Sequence, residues 1–173
     1  MEKKIFFIDF DGTLMRDDKT ISDKNREALR NAVDQGHYIA LATGRAVSSG
    51  RRIAKELELT RPGCYLVAYN GGTIYDFSAD CILSNKRLPI EYAEYLLREA
   101  TEAGIHIQTY SDTQVLAAER NKELDFYVKK TGMPCRITGN LNSMLYEEPP
   151  KMLLIDLEHK ERLEACRVGE RKV

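Results

Sequence analysis

The sequence carries no excess of charge of either sign: 26 basic residues stand against 27 acidic ones in 173, a formal net charge of −1. Without a basic block it has no electrostatic footprint for nucleic acid or for an anionic membrane surface, so the partner expected is a small molecule. Long hydrophobic runs are missing as well. The longest apolar stretches, such as Ile5 to Phe10 and Met152 to Ile155, fall far short of the roughly 20 residues that a membrane-spanning helix needs. The Met1-Glu2-Lys3-Lys4 start has no apolar signal-peptide stretch behind it, and a cytoplasmic location is expected. Cys64, Cys81, Cys135 and Cys166 are scattered, with no C-x-x-C pair and no local histidine. That argues against zinc and against a disulfide framework, leaving reduced, mostly buried thiols. His37, His106 and His159 share no spacing, and each reads as solvated or packed rather than as a ligand. What is present, 43% apolar and 31% charged residues, suits a soluble chain with one sizeable core and a small second one.

The pattern alternates at first. Residues Lys3 to Phe10 read as a strand buried on both faces. Ser22 is a good helix N-cap, Ala28, Leu29, Ala32 and Val33 form one apolar stripe, and Gly36 suits the position after the helix. His37 to Ala42, Ala46 to Leu57 and Tyr65 to Ala68 then read as strand, helix and strand. Such alternation builds a parallel sheet through right-handed crossovers. After Gly72 the pattern changes to two strands, Thr73 to Tyr75 and Ile82 to Leu88, joined by a turn and without a helix between them. A helix from Pro89 to Gly104, a hairpin around Ser111-Asp112, a helix from Asn121 to Lys130, a strand from Met152 to Ile155 and a helix starting at Glu158 complete the reading. The expected division is a first domain over 1–76 and a second over 77–173.

The chemistry concentrates at Phe7-Ile8-Asp9-Phe10-Asp11-Gly12-Thr13-Leu14. Two carboxylates two residues apart straddle the C-terminal end of a strand, where open α/β sheets bind ligands. Such a pair repels itself, and a divalent cation with a preference for hard oxygen, magnesium above all, stabilises both as anions. Gly12 lets backbone approach a phosphate closely. An Asp-Gly pair alone would be an ordinary turn; the full string after an apolar strand is more. Thr43-Gly44-Arg45 ends the second strand, where a hydroxyl and the amides after it can face Asp9 across neighbouring strand ends.

The D-x-D-G-T-L string resembles the first motif of the haloacid dehalogenase superfamily, and Thr43 matches the threonine that hydrogen-bonds the phosphoryl group there. More narrowly, Asn70-Gly71-Gly72-Thr73-Ile74 is similar to the N-G-x-x-I passage of the Cof-type sugar-phosphate phosphatases. The resemblance implies an α/β fold: a Rossmann-like parallel-sheet core with an inserted α/β cap of the C2 type. It implies a magnesium-dependent phosphatase in which Asp9 attacks phosphorus to form an aspartyl-phosphate, while Asp11 protonates the leaving alcohol and then activates water. Gly12, Thr43 and Gly44 would bind phosphate. The Asp9 side chain and the Asp11 backbone carbonyl would hold Mg2+. Arg45 would contact substrate or be solvated in a first helical turn, and Asn70 would contact substrate or serve only as a turn residue.

Two family elements have no counterpart: the lysine that balances phosphate charge, and a Gly-Asp-x-x-x-Asp metal loop, since no Gly-Asp pair occurs. Lys151 to Asp156 reads better as a cap strand than as the strand bearing that loop. The chain is therefore expected to be incomplete after the cap, as a fragment, a truncated product or an altered frame. Its first strand should then be a sheet edge that invites self-association. The competing reading is an inactive remnant that binds phosphate or magnesium weakly or only associates with itself. A response-regulator receiver fits poorly, because its acceptor aspartate would end the third strand, where Asn70 stands.

Overall fold

A computed structural model describes residues 2–145 and 147–165. Strand β1 (Ile5–Asp9), helix α1 (Asp23–Asp34), β2 (Tyr38–Ala42), α2 (Val47–Glu56) and β3 (Cys64–Ala68) alternate as the sequence predicts, and β4 (Thr73–Asp76) and β5 (Cys81–Asn85) follow. The five strands form one sheet in the order β1-β2-β3-β4-β5. The first three run parallel and the last two are antiparallel. The Ser22 hydroxyl caps α1 by accepting the Asn25 N–H at 3.2 Å, and Gly36 follows its end with φ +80°. Of the expected stripe only Leu29 is buried; Ala32 and Val33 are half-buried and Ala28 is exposed. Helix α1 packs on β2 and α2 on β3, over a core that includes Ile39, Leu41, Leu59, Cys64 and Leu66. In α2, Gly50 lies so close to the Leu66 side chain that a Cβ would overlap it.

One expectation fails here. Strand β1 is not buried on both faces: Ile5, Phe6 and Phe7 are 48%, 40% and 66% exposed. As expected, it stands at the edge of the sheet, with β2 as its one neighbour among the described residues, and the helices cover β2 and β3 instead. The apolar composition of β1 matches a central strand; its position is an edge.

The chain divides into two compact units between Lys86 and Arg87, ten residues beyond the expected boundary at Asp76. The ladder from Thr73↔Asn85 to Asp76↔Cys81 explains the correction, because it ties β5 to the first sheet. The second unit holds α3 (Ile90–Glu102), β6 (His106–Tyr110), β7 (Val115–Ala117), α4 (Lys122–Thr131), β8 (Cys135–Ile137), β9 (Met152–Ile155) and α5 (Lys160–Ala165). Its sheet runs β8-β7-β6-β9. The core gathers Ala93, Leu97, Ala100, Ile107, Leu116, Leu141 and Leu145. Strand β8, three residues long, is absent from the sequence reading because so short a stretch has no usable period. Strand β9 pairs antiparallel with β6. Asp156 after it caps a turn, accepting the Glu158 and His159 N–H groups at 3.0 and 2.9 Å and pairing with Arg162 at 3.2 Å.

Of the cysteines, Cys64 is buried, Cys135 intermediate and Cys81 exposed, all three free; Cys166 lies outside the described residues, as do the last residues, 167–173. The expected burial thus fails at Cys81, which sits on the edge strand β5.

Candidate active site

The parallel register lines up three strand ends. Asp9 pairs with Ala42, and Ala42 with Val67, so Asp9, Thr43 and Asn70 all lie at the C-terminal edge of the parallel strands. Asp9 is exposed, whereas Phe10 beside it is fully buried; the alternation of a strand sends one in and one out. The chain then turns at Gly12, whose φ of +81° a residue with a Cβ would adopt only under strain. The turn is pinned by Leu14 N–H to Asp9 C=O at 3.1 Å, Met15 N–H to Phe10 C=O at 2.8 Å and Gly12 N–H to Met15 C=O at 3.2 Å. Burial of the Leu14 and Met15 side chains anchors it.

Thr43 is 6% exposed. Its N–H continues the ladder to Val67 C=O at 2.9 Å, and its hydroxyl oxygen accepts the Arg45 N–H at 3.2 Å. The hydroxyl hydrogen can still be donated. Gly44 follows, half-buried, and α2 then begins after Ala46 with no side-chain cap on its first amides. The third loop is bonded to the second, with Asn70 N–H on Thr43 C=O at 3.1 Å and Tyr69 N–H on Arg45 C=O at 3.0 Å. Tyr69 and Asn70 take left-handed backbone angles to do so, φ 51° and 58°, a strained choice for a tyrosine. Asn70 is exposed.

Arg45 is where the sequence reading needs correction. It lies before the helix rather than in a solvated first turn, and is 5% exposed. Its Nε donates to Asp11 Oδ2 at 3.0 Å and its Nη2 to Asp11 Oδ1 at 2.6 Å. Lys19, which the sequence did not single out, adds its ammonium to Asp11 Oδ1 at 3.4 Å. Partial burial pushes the Asp11 carboxyl up, but the hydrogen bonds and charges of Arg45 and then Lys19 outweigh it and hold the group below the usual carboxylate range. No local pattern marks Lys19 in its polar loop; only the fold brings it to Asp11.

A family model of haloacid dehalogenase-like hydrolases matches residues 6–168. The chain belongs to this family. Among curated relatives, it is 32% identical over 146 residues to the 5-amino-6-(5-phospho-D-ribitylamino)uracil phosphatase YwtE of Bacillus subtilis, covering 80% of this chain and 47% of that protein. It is 42% identical over 73 residues to YcsE, named for the same activity in the same organism, covering 42% of this chain and 28% of that one. The chain thus spans about half or less of the length of these relatives. A crystal structure of a haloacid dehalogenase-like hydrolase from Bacteroides thetaiotaomicron superposes with a TM-score of 0.84 at 25% identity, over 95% of this chain and 62% of that one.

The donors of this haloacid dehalogenase-like site suit magnesium in kind. Asp9 presents an exposed carboxylate and Asp11 a backbone carbonyl, both hard oxygens. The Asp11 carboxylate is engaged by Arg45 and Lys19. Among the described residues no group of three His, Cys, Asp or Glu side chains comes together. The described residues therefore offer few protein ligands here, which magnesium accepts when waters and substrate oxygens fill the remaining positions.

Proposed function

We propose that this chain carries the nucleophile and phosphate-binding portion of a Mg2+-dependent phosphatase that hydrolyses small, sugar-phosphate-like monoesters in the cytoplasm. One observation supports it above the others: an exposed Asp9 and a buried Thr43 hydroxyl stand at adjacent parallel strand ends beside an uncapped helix start. In this reading an Asp9 oxygen attacks phosphorus and the alcohol departs, leaving an aspartyl-phosphate that water then cleaves. Gly12, Thr43 and Gly44 bind the phosphoryl oxygens, while Arg45 and Asn70 touch the substrate. Asp9 and the Asp11 carbonyl would hold magnesium, whose charge would offset that of the phosphate. Asp11 serves as acid and then base, a role that needs a proton that Arg45 now opposes. Movement of the guanidinium from Asp11 towards substrate phosphate would free the carboxyl to take one. The names of YwtE and YcsE support a phosphorylated ribityl-type substrate.

Magnesium-dependent turnover of p-nitrophenyl phosphate, lost in Asp9→Asn, is the expected result. A second reading is favoured by the exposed β1 edge: a chain that holds phosphate or Mg2+ weakly, or only associates with itself. Turnover no faster than background at high protein concentration would decide for it.

A further inference from the structure

In the second unit a line of polar side chains runs along one face of β6, where alternate residues point the same way. Asn121 Nδ2 lies 3.0 Å from His106 Nδ1, His106 Nε2 lies 3.1 Å from Gln108 Oε1, and Gln108 Nε2 donates to the Tyr110 hydroxyl at 3.0 Å. Gln108 is fully buried and Tyr110 nearly so, while His106 is half-buried and opens on a cavity of about 590 Å3. Strand β6 is central, with β7 and β9 on its two sides. Each link in the line is thus made by a neighbour within this unit.

The cap of α4 fixes the direction of every bond in the line. Asn121 Oδ1 accepts the Leu124 N–H at 3.0 Å, so the atom that Asn121 turns to the ring is its amide nitrogen, which can only donate. His106 Nδ1 must accept. The proton of the neutral imidazole then sits on Nε2, where it meets the Gln108 oxygen, and the Gln108 amide is left to donate to Tyr110. A second ring proton has no acceptor, because it would point at the Asn121 NH2 group.

We propose that His106 and the N-cap of α4 form a pH-sensitive switch, in which protonation of the ring turns the Asn121 side chain over and releases the Leu124 N–H. The ring stays in place, because its Nε2–H keeps the bond to Gln108, which is fully buried and has no solvent to turn to. The cap yields instead. Leu124 N–H and the ring lie on opposite arms of one amide, so a single oxygen cannot serve both.

Charged groups reach the cavity beside His106 from several elements. Helix α4 contributes Lys122 and Glu123, and the segment after β7 contributes Glu119. The segment from β9 into α5 brings Asp156, Glu158, His159 and Arg162, while α3 and residues 139–142 add no charge. Lys122 pairs with Glu158 and lies 3.8 Å from Glu123; Arg162 pairs with Asp156 at 3.2 Å, and His159 lies 4.0 Å from Glu158 and 3.4 Å from Glu161. On β6 itself the other titratable group is Tyr110, reached through Gln108. Carboxylates outnumber the fixed cations, so the cavity can house an imidazolium; the Asn121 amide is what stands against it.

Histidine ordinarily changes charge between about pH 5 and 8, and NMR of the full chain across that range reads the switch. Ring nitrogen shifts should place the proton of neutral His106 on Nε2. As the ring titrates, amide-exchange protection at Leu124 should fall about five-fold, the usual worth of an N-cap, while protection at Asn25, under the Ser22 cap of α1, should hold. Asn121→Asp should reverse the trend, because a carboxylate has one oxygen for Leu124 N–H and another for the imidazolium. Asn121→Ser, which caps without reaching the ring, should give no trend. His159→Gln should behave as the wild type, which separates His106 from the other histidine of the cavity. A neutral ring protonated at Nδ1, unchanged protection at Leu124, an equal loss at Asn25, a wild-type trend in Asn121→Asp or Asn121→Ser, or loss of the trend in His159→Gln overturns the switch.

Discussion

Arg45 grips Asp11 with two nitrogens, at 3.0 and 2.6 Å, from a position 34 residues further along the chain. The guanidinium is almost wholly buried while the carboxylate is two-fifths exposed, so a fork of charge-assisted hydrogen bonds projects from the protein interior to its surface. The pair links the loop after β1 to the loop after β2.

Replacing Arg45 by Met should raise the Asp11 pKa, because burial then acts with only Lys19 to oppose it. Carboxyl NMR titration should find the wild-type midpoint below the ordinary aspartate value of about 3.9 and the variant midpoint higher. A native pKa below the unfolded one contributes stability above the unfolded value, and that contribution is lost as pH falls through the native pKa. The acid side of the stability profile should therefore flatten in Arg45→Met. A wild-type midpoint unchanged by the substitution would show that the pair does not control Asp11.

Tyr75 should titrate late. Burial first, and then the hydrogen bond its hydroxyl donates to Asp80, push its pKa up to about 12. Because the native pKa is raised, the stabilisation is complete below the unfolded tyrosine value of about 10 and is lost as pH rises towards 12. Ultraviolet difference titration against Tyr75→Phe should show Tyr75 ionising later than the ordinary tyrosine value of about 10, with Asp80→Asn bringing it earlier.

Gly50→Ala should destabilise the fold despite the better helix propensity of alanine. The new methyl would meet the Leu66 side chain, fully buried and unable to yield freely. Overpacking of this kind costs about 1–3 kcal/mol against a propensity gain of about 1 kcal/mol. Urea unfolding should show a lower midpoint for Gly50→Ala and none for Ser48→Ala, which is exposed on the same helix.

Asn121→Ala should cost about 1 kcal/mol, the usual value of an N-cap. The Asn121 side chain accepts the Leu124 N–H at 3.0 Å at the start of α4 and also lies 3.0 Å from His106 Nδ1. Asn121→Ser should restore most of the loss, since serine caps as well but does not reach the histidine. Amide exchange at Leu124 would report the change locally.

Local physics made much of this chain legible. The alternation of apolar runs announced β1, α1, β2, α2 and β3, and Ser22 and Asn121 cap the helices they precede. The D-x-D-G-T-L and T-G-R strings marked Asp9 and Thr43, which the parallel register brings to neighbouring strand ends. These features depend on spacing within a few residues, where period, cap and turn chemistry act. Tertiary structure decided most of the rest, although the edge position of β1 was already expected from the missing metal loop. Burial of a strand depends on what lies beside it, and no apolar pattern in Ile5–Asp9 distinguishes a central strand from the exposed edge that β1 forms. The place of β5 in the first sheet is set by its ladder to β4. The meeting of Arg45, Lys19 and Asp11 joins residues far apart in the chain, because a charge pair is selected by distance in space and leaves no period in the sequence.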